Sequence, residues 1–486
     1  MRATSAQLPL PGILIAPKAE SDAQANRLSP DDRAFHDWYR FVLSFPPHLV
    51  RKYLDEFRDG RSIVVLDPFC GTGTTLIEAK LAGLPSLGLE ANPFAHFAST
   101  VKTDWSVDPE MLLVAAHEIA TTVREQLLAE GVDDLRLYTT TPEGLTLKTL
   151  DPASAKLLIK DSISPLPLHK VLTLREAIEH YAGQPFYRHL LLAFANMAVC
   201  AASNLRFGPE VGVDRIKTDA VVIGPWLAEI ARMANDLRLV VGYCYPAARA
   251  FLADARQVSA VLEPESVDAV ITSPPYPNEK DYTRTTRLES VLLGLIRDST
   301  DLKTFKGSLV RSNTRGVYKG DDDDRWIVRH EGIQRIAEQI EQRRIEMGKT
   351  SGFERLYSRV TRLYFGGMAR HLAELRPVLR SGARLAYVVG DQASYLRVMI
   401  RTGQLLAEIA QDLGYELVRI DLFRTRFATA TKEQLREEVV VLRWPGWDCR
   451  EFRTALSSRA TERTYPRRTE DVSAASFLRR IGGQNE

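Results

Sequence analysis

A doubly wound α/β fold, built on a seven-stranded and largely parallel sheet that ends in an antiparallel hairpin, is predicted for this chain by three observations. Two short apolar runs, IVVLD (63–67) and SLGLE (86–90), alternate with helix-like stretches, as parallel pairing requires. Five more apolar runs follow: ARAFLAD (248–254), VDAVITS (267–273), GARLAYVVGD (382–391), ELVRIDLF (416–423) and EEVVVLRW (437–444). The last two are joined by a segment too short to hold a crossover helix, so they pair antiparallel.

The elements follow in order. Residues 1–34 read as an irregular lead-in, rich in Pro, Ala and Ser near the start. The sheet domain opens over 35–101, where the aromatic segment 35–57 begins its helix after Pro46-Pro47. IVVLD then runs through the turn PFCGTG into TTLIEAKLAG, a helix closed by Gly83, and SLGLE leads into NPFAHFAS. Residues 102–245 break the pattern as a mainly helical insertion that includes FYRHLLLAFANMAVCAAS (186–203) and PWLAEIARMANDLRLV (225–240). The sheet resumes over 246–299, a second insertion fills 300–370, and 371–449 complete the sheet with LLAEIAQDLG (405–414) as a helix between strands. Residues 450–486, rich in Arg, read as a loosely docked tail.

Bulk properties narrow the class. With 486 residues, 45% hydrophobic and 26% charged, the chain has the composition of an ordinary soluble globular protein with a large core. No stretch approaches the roughly 20 apolar residues of a membrane span, and the N-terminus lacks the layout of a signal peptide, so a cytoplasmic protein without a membrane partner is expected. Cys70, Cys200, Cys244 and Cys449 are scattered, which disfavours zinc and redox pairs, and no metal is expected. A net charge of +2 means that any affinity for nucleic acid rests on local basic patches.

Three strand ends carry the first site. The turn Asp67-Pro68-Phe69-Cys70-Gly71-Thr72-Gly73-Thr74 lies between strand and helix, where glycines admit close approach of a ligand to backbone. Glycines in such a turn also serve local geometry alone. The turn lacks the ending of a P-loop and the third glycine of the dinucleotide fingerprint. Glu90 ends the second strand, where a carboxylate can accept both hydroxyls of a ribose; Asp254 ends the third, where it can accept from an adenine amino group or stand as a surface acid. Three acids and a glycine turn on one sheet edge point to S-adenosylmethionine.

The fourth strand runs into Ser273-Pro274-Pro275-Tyr276, a stiff turn that fixes carbonyls and projects an aromatic ring. Methyl transfer to an exocyclic amine needs acceptors for the amine hydrogens, and the Ser273 hydroxyl and Pro274 carbonyl suit that task. A base removed from a duplex needs a stacking partner, which Tyr276 supplies.

SPPY and DPFCGTGTT together resemble the amino-methyltransferase family of DNA methylases, in the arrangement that places the cofactor turn first. The resemblance covers roughly 45–101 and 246–300 by motif and 380–444 by pattern. It implies the methyltransferase variant of the doubly wound fold, S-adenosylmethionine as cofactor and double-stranded DNA with a flipped base as substrate. The serine form of the motif goes mainly with cytosine N4 and the acidic or amide form mainly with adenine N6, so Ser273 tilts the substrate towards cytosine. Phe45, before Pro46-Pro47, resembles the family's extra cofactor motif. PNEKDYTRTTRLESVLLG (277–294) resembles a subgroup of DNA methylases, and Asp281, Tyr282, Arg284 and Arg287 are candidates for lining the pocket or holding phosphate; the alternative for Arg287-Leu288-Glu289 is an exposed helical turn. A restriction–modification or phage-defence setting, with a cognate endonuclease or other defence proteins as partners, is the expected context.

Target recognition falls in 102–245 or 300–370. Within the latter, SLVRSNTRGVYKGDDDDRW (308–326) reads as an exposed loop whose basic half contacts DNA and whose acid run is solvated. Cytosine C5 chemistry is disfavoured because no cysteine follows a proline. Adenine N6 methylation, RNA or tRNA base methylation and a non-catalytic binding role stand as alternatives; the acids Asp67, Glu90 and Asp254 argue against the last.

Overall fold

The computed structural model describes residues 28–40, 45–208, 210–278, 280–428 and 433–447. Most of the expected lead-in and the tail 450–486 lie outside these residues. The strands are β1 (Val65–Asp67), β2 (Ser86–Glu90), β3 (Leu205–Phe207), β4 (Val211–Val213), β5 (Ala248–Leu252), β6 (Val267–Thr272), β7 (Leu379–Gly390), β8 (Glu416–Ala428) and β9 (Glu433–Arg443). Seven of them form one sheet in the order β5-β2-β1-β6-β7-β9-β8. All pairs from β5 to β7 are parallel, and β9 runs antiparallel to both β7 and β8. This is the doubly wound sheet with a terminal hairpin that the sequence predicts.

Strand order reverses between β1 and β6, since the chain passes outward through β2 and β5 and then returns to β6 and β7. Open α/β sheets bind ligands beyond the carboxyl ends of strands at such a point. Both faces are covered, so the central strands are apolar on both sides. Val65, Ala269, Ile271, Ala386, Val388, Val439 and Val441 pack under the helices Pro47–Arg58 and Thr74–Leu81. Their neighbours Leu66, Val270, Leu385, Tyr387, Val389, Val440 and Leu442 face the helices Glu331–Glu346, Tyr357–Leu375 and Thr402–Asp412.

Three boundaries differ from the sequence reading. Helix Tyr357–Leu375 packs Tyr364, Phe365, Met368 and Leu372 into the sheet core, so the expected insertion 300–370 ends in the crossover helix that parallel β6 and β7 require. The helical insertion contains a small antiparallel ribbon, β3–β4, whose three-residue strands are too short to leave a periodic signal. Phe35, Trp38 and Tyr39 belong to the core of that insertion, and Asp236 accepts from the Phe35 amide at 3.0 Å and the Trp38 indole at 2.8 Å. Among the described residues no helix is long and apolar enough to cross a membrane.

Candidate active site

A cavity of about 380 Å³ opens beyond the carboxyl ends of β1, β2, β5 and β6 and extends to the β8–β9 hairpin. One side is built on the turn after β1. Asp67 is fully buried beneath that turn and does not reach the cavity wall. One oxygen, Oδ1, accepts from the Thr272 hydroxyl at 2.5 Å and from the Phe69 amide at 3.1 Å, which ties the turn to β6. Asp67 Oδ2 is buried without a hydrogen-bond partner among the described residues, and burial pushes the carboxyl up to about 6.

The two glycines have different tasks. Gly71 lies on the wall with φ +52°, and a Cβ there would meet nothing within 4 Å, so its missing side chain leaves open room beside the backbone. Gly73, at φ +90°, is off the wall; a Cβ on it would come 3.1 Å from the Ser99 side chain, so it serves packing against the helix Pro93–Lys102. Pro68, Phe69 and Thr74 reach the wall. The Phe69 ring is held edge-on by His371, 5.0 Å between centroids, and burial lowers His371 to about 4, so the imidazole is neutral at pH 7.

Glu90 faces the cavity from the end of β2. Its oxygens accept from the Gly71 amide at 2.8 Å and the Asn92 amide at 2.7 Å, and burial outweighs these bonds to lift the carboxyl to about 7. Asp254 also reaches the wall, at 11% side-chain exposure, but is gripped by Arg256, whose Nε and Nη2 lie 3.0 and 2.7 Å from its two oxygens. The open backbone at Gly71, the carboxylate at Glu90 and the aromatic face of Phe69 suit a nucleoside cofactor such as S-adenosylmethionine.

The opposite side is built on the turn after β6. Ser273, Pro274, Pro275 and Tyr276 all line the cavity. The Ser273 hydroxyl donates to the Val388 carbonyl at 3.2 Å. With its proton committed to β7, its oxygen is left to act as an acceptor. The Tyr276 amide donates to the Tyr282 hydroxyl at 3.2 Å, and burial pushes Tyr282 up to about 12. Gly390 makes room for the Tyr276 ring, since a Cβ there would lie 3.1 Å from it. Phe45 is on the wall on this side, packed in the same cluster as Phe423.

Of the four residues expected to line the pocket or hold phosphate, Asp281 and Tyr282 reach the wall. Arg284 and Arg287 do not. Arg284 lies 3.9 Å from Glu210, and Arg287 is buried, donating to Thr283 and to the Leu157 carbonyl. Glu289 is buried as well and accepts from the Tyr39 hydroxyl, so the segment is not an exposed turn either.

The first part of the segment 308–326 is a cavity wall rather than an exposed loop, while Arg315, Lys319, Gly320, Asp322, Arg325 and Trp326 are exposed. Val310, Arg311, Ser312 and Asn313 are buried and line the cavity. The acid run is partly internal: Asp321 pairs with Arg311 at 2.8 Å, and buried Asp323 pairs with Arg256 at 2.5 Å and with Arg370 at 3.3 Å. Phe423, Arg424, Arg426 and Glu437 complete the cavity from the hairpin. A glutamate opening the apolar run EEVVVLRW is the one sequence signal that could have singled any of them out.

Residues 17–100 match the model of a family described as DNA methylase. Type II methyltransferase M.BsoBI from Geobacillus stearothermophilus is 24% identical over 460 residues, covering 86% of this chain and 85% of that protein. Type II methyltransferase M.AvaI from Nostoc sp. is 24% identical over 446 residues, covering 87% and 88%. The solved structure of TrmN from Thermus thermophilus matches at a TM-score of 0.28 and 13% identity, over 85% of this chain and 52% of that one, too distant a likeness to bear on the fold. The SPPY turn and the glycine turn share one cavity, and the chain is similar to type II methyltransferases over most of its length, which supports the DNA amino-methyltransferase family that its motifs resemble.

Proposed function

We propose that this protein transfers a methyl group from S-adenosylmethionine to the exocyclic N4 of cytosine in double-stranded DNA, with the target base rotated out of the helix. The observation that carries the reading is the Ser273 hydroxyl, which donates to Val388 and so offers only lone pairs to the cavity. Bound S-adenosylmethionine supplies an electrophilic methyl group on a sulfonium. Glu90 accepts from the ribose hydroxyls and Asp254 from the adenine amino group, while Asp67 braces the turn that carries Gly71. Ser273 Oγ and the Pro274 carbonyl take the hydrogens of the target amine, which turns its lone pair out of conjugation and towards the methyl carbon. The cofactor would supply the methyl to the nitrogen and keep the S–C bonding pair as a neutral thioether, and the amine would shed one proton to water. Tyr276 stacks on the extruded base.

Serine rather than an acid or amide at position 273 supports cytosine over adenine, and the type II designation of the relatives supports a cytoplasmic restriction–modification role beside a cognate endonuclease. Nucleoside mass spectrometry on DNA from cells expressing the protein tests the reading. N4-methylcytosine is expected; N6-methyladenine, or methylation of matched RNA in place of DNA, overturns it.

A further inference from the structure

Arg424 on β8 and Glu437 on β9 face each other in register across the terminal hairpin and form an ion pair through Arg424 Nε and Glu437 Oε2. Both side chains are largely covered, at 20% and 9% exposure, yet both line the cavity beside the SPPY turn. Glu437 lies next to the Tyr276 ring: a Cβ on Gly390 would sit 3.3 Å from Glu437 Cγ and 3.1 Å from Tyr276. Among the described residues, neither Arg424 Nη1 and Nη2 nor Glu437 Oε1 has a hydrogen-bond partner in the protein. A covered ion pair with one acceptor and a two-nitrogen donor edge left over, on the wall of a substrate cavity, has the chemistry of a reading head.

We propose that Arg424 and Glu437 together read the Watson–Crick edge of the flipped base and select cytosine. The inference rests on the methyltransferase reading above and extends it to residues outside the SPPY turn. A carboxylate beside a guanidinium presents acceptor, donor, donor in a row, the pattern guanine offers to cytosine in a base pair. Cytosine answers with N4–H, N3 and O2. Ser273 Oγ takes one amine hydrogen and Glu437 Oε1 shares the other with the Pro274 carbonyl, while Arg424 donates to N3 and O2. Adenine has N6–H and N1 but a C–H where O2 would be, so one guanidinium donor is left buried and unpaired. Sites that hydrogen-bond a substrate group reject analogues lacking it far more strongly than apolar pockets reject a change of size. The pair therefore selects cytosine by a contact separate from the acceptor at Ser273.

The test uses the full-length protein and duplexes carrying its target site, located by methylome sequencing of expressing cells. The ratio of kcat/KM for cytosine over adenine at the target position should fall by about 100-fold or more in R424M and E437Q, with S-adenosylmethionine affinity within about twofold of wild type. R424K, which keeps the charge and loses the paired donor edge, should show the same loss of ratio. A substrate-side arm needs no variant: replacing the target cytosine with 3-deazacytosine, which lacks the N3 acceptor, should lower kcat/KM of the wild-type enzyme at least about tenfold. Two results overturn the inference alone: a wild-type product of N4-methylcytosine with the ratio unchanged in all three variants, or a loss under threefold with 3-deazacytosine. A wild-type product of N6-methyladenine overturns the cytosine reading itself, and this inference with it.

Discussion

Arg256 Nη1 lies 2.5 Å from Asp323 Oδ2, a buried contact that joins residues 67 positions apart and fastens the segment 308–326 to the end of β5. The same guanidinium grips Asp254 and donates to the Gly307 carbonyl at 3.0 Å, so one side chain ties Asp254 to the roof of the cavity. Replacing Arg256 by Met leaves Asp323 buried with only the more distant Arg370. The expected cost is about 3–5 kcal/mol, the range for removing one partner of a buried pair. A lowered urea midpoint at unchanged slope would register it.

Two adjacent glycines in helix Tyr357–Leu375 make that contact possible. A Cβ on Gly366 would sit 2.0 Å from the Asp323 carbonyl oxygen, which leaves no space for any side chain. Gly366→Ala should therefore push the wall outward, at about 1–3 kcal/mol, and expose 310–326 to limited proteolysis. Gly307→Ala is the control, since a Cβ there meets nothing within 4 Å; cleavage at wild-type rates in both variants would refute the account.

Glu90 gives cofactor binding a pH dependence whose sign is fixed. Burial holds its carboxyl at about 7 in the free protein, and in the proposed binding mode ribose hydroxyls donate to the ionised form. Affinity for S-adenosylmethionine should be flat above pH 8 and fall about tenfold between pH 8 and pH 6, as protonation removes the acceptor. Isothermal titration across that range measures it. Glu90→Gln, which cannot ionise, should bind weakly with the slope largely gone.

On the proposed reading, Tyr276 serves the base and Glu90 the cofactor within one cavity. Tyr276→Ala should weaken capture of the flipped base by about 1–3 kcal/mol, measured as a rise in DNA Kd, with cofactor affinity near wild type. Asp67→Ala should do the reverse, because that carboxylate braces the turn from beneath. Equal losses of cofactor binding in both variants would remove the division.

How much of this was legible in the sequence follows from how local each signal is. The strand ends at Asp67, Glu90 and Thr272 could be read because apolar runs stop at polar residues there. SPPY could be read because two prolines leave little conformational choice. Arg287 and Glu289 misled because charge in a short helix suggests exposure, while here the partners Leu157 and Tyr39 come from 130 and 250 residues away. Asp321 and Asp323 misled for the same reason, since a run of four aspartates carries no mark of two internal arginines. Phe423, Arg424 and Glu437 reach the cavity only through the sheet order and hairpin register, which no local window contains.

The bond from Ser273 to the Val388 carbonyl also has a bearing on when the candidate site is ordered. A free hydroxyl rotates among three staggered positions and would have to be frozen in one of them each time a substrate arrived. Here that rotor is locked as β6 docks against β7, so its orientational entropy is lost once in the lifetime of the folded molecule and not in every turnover.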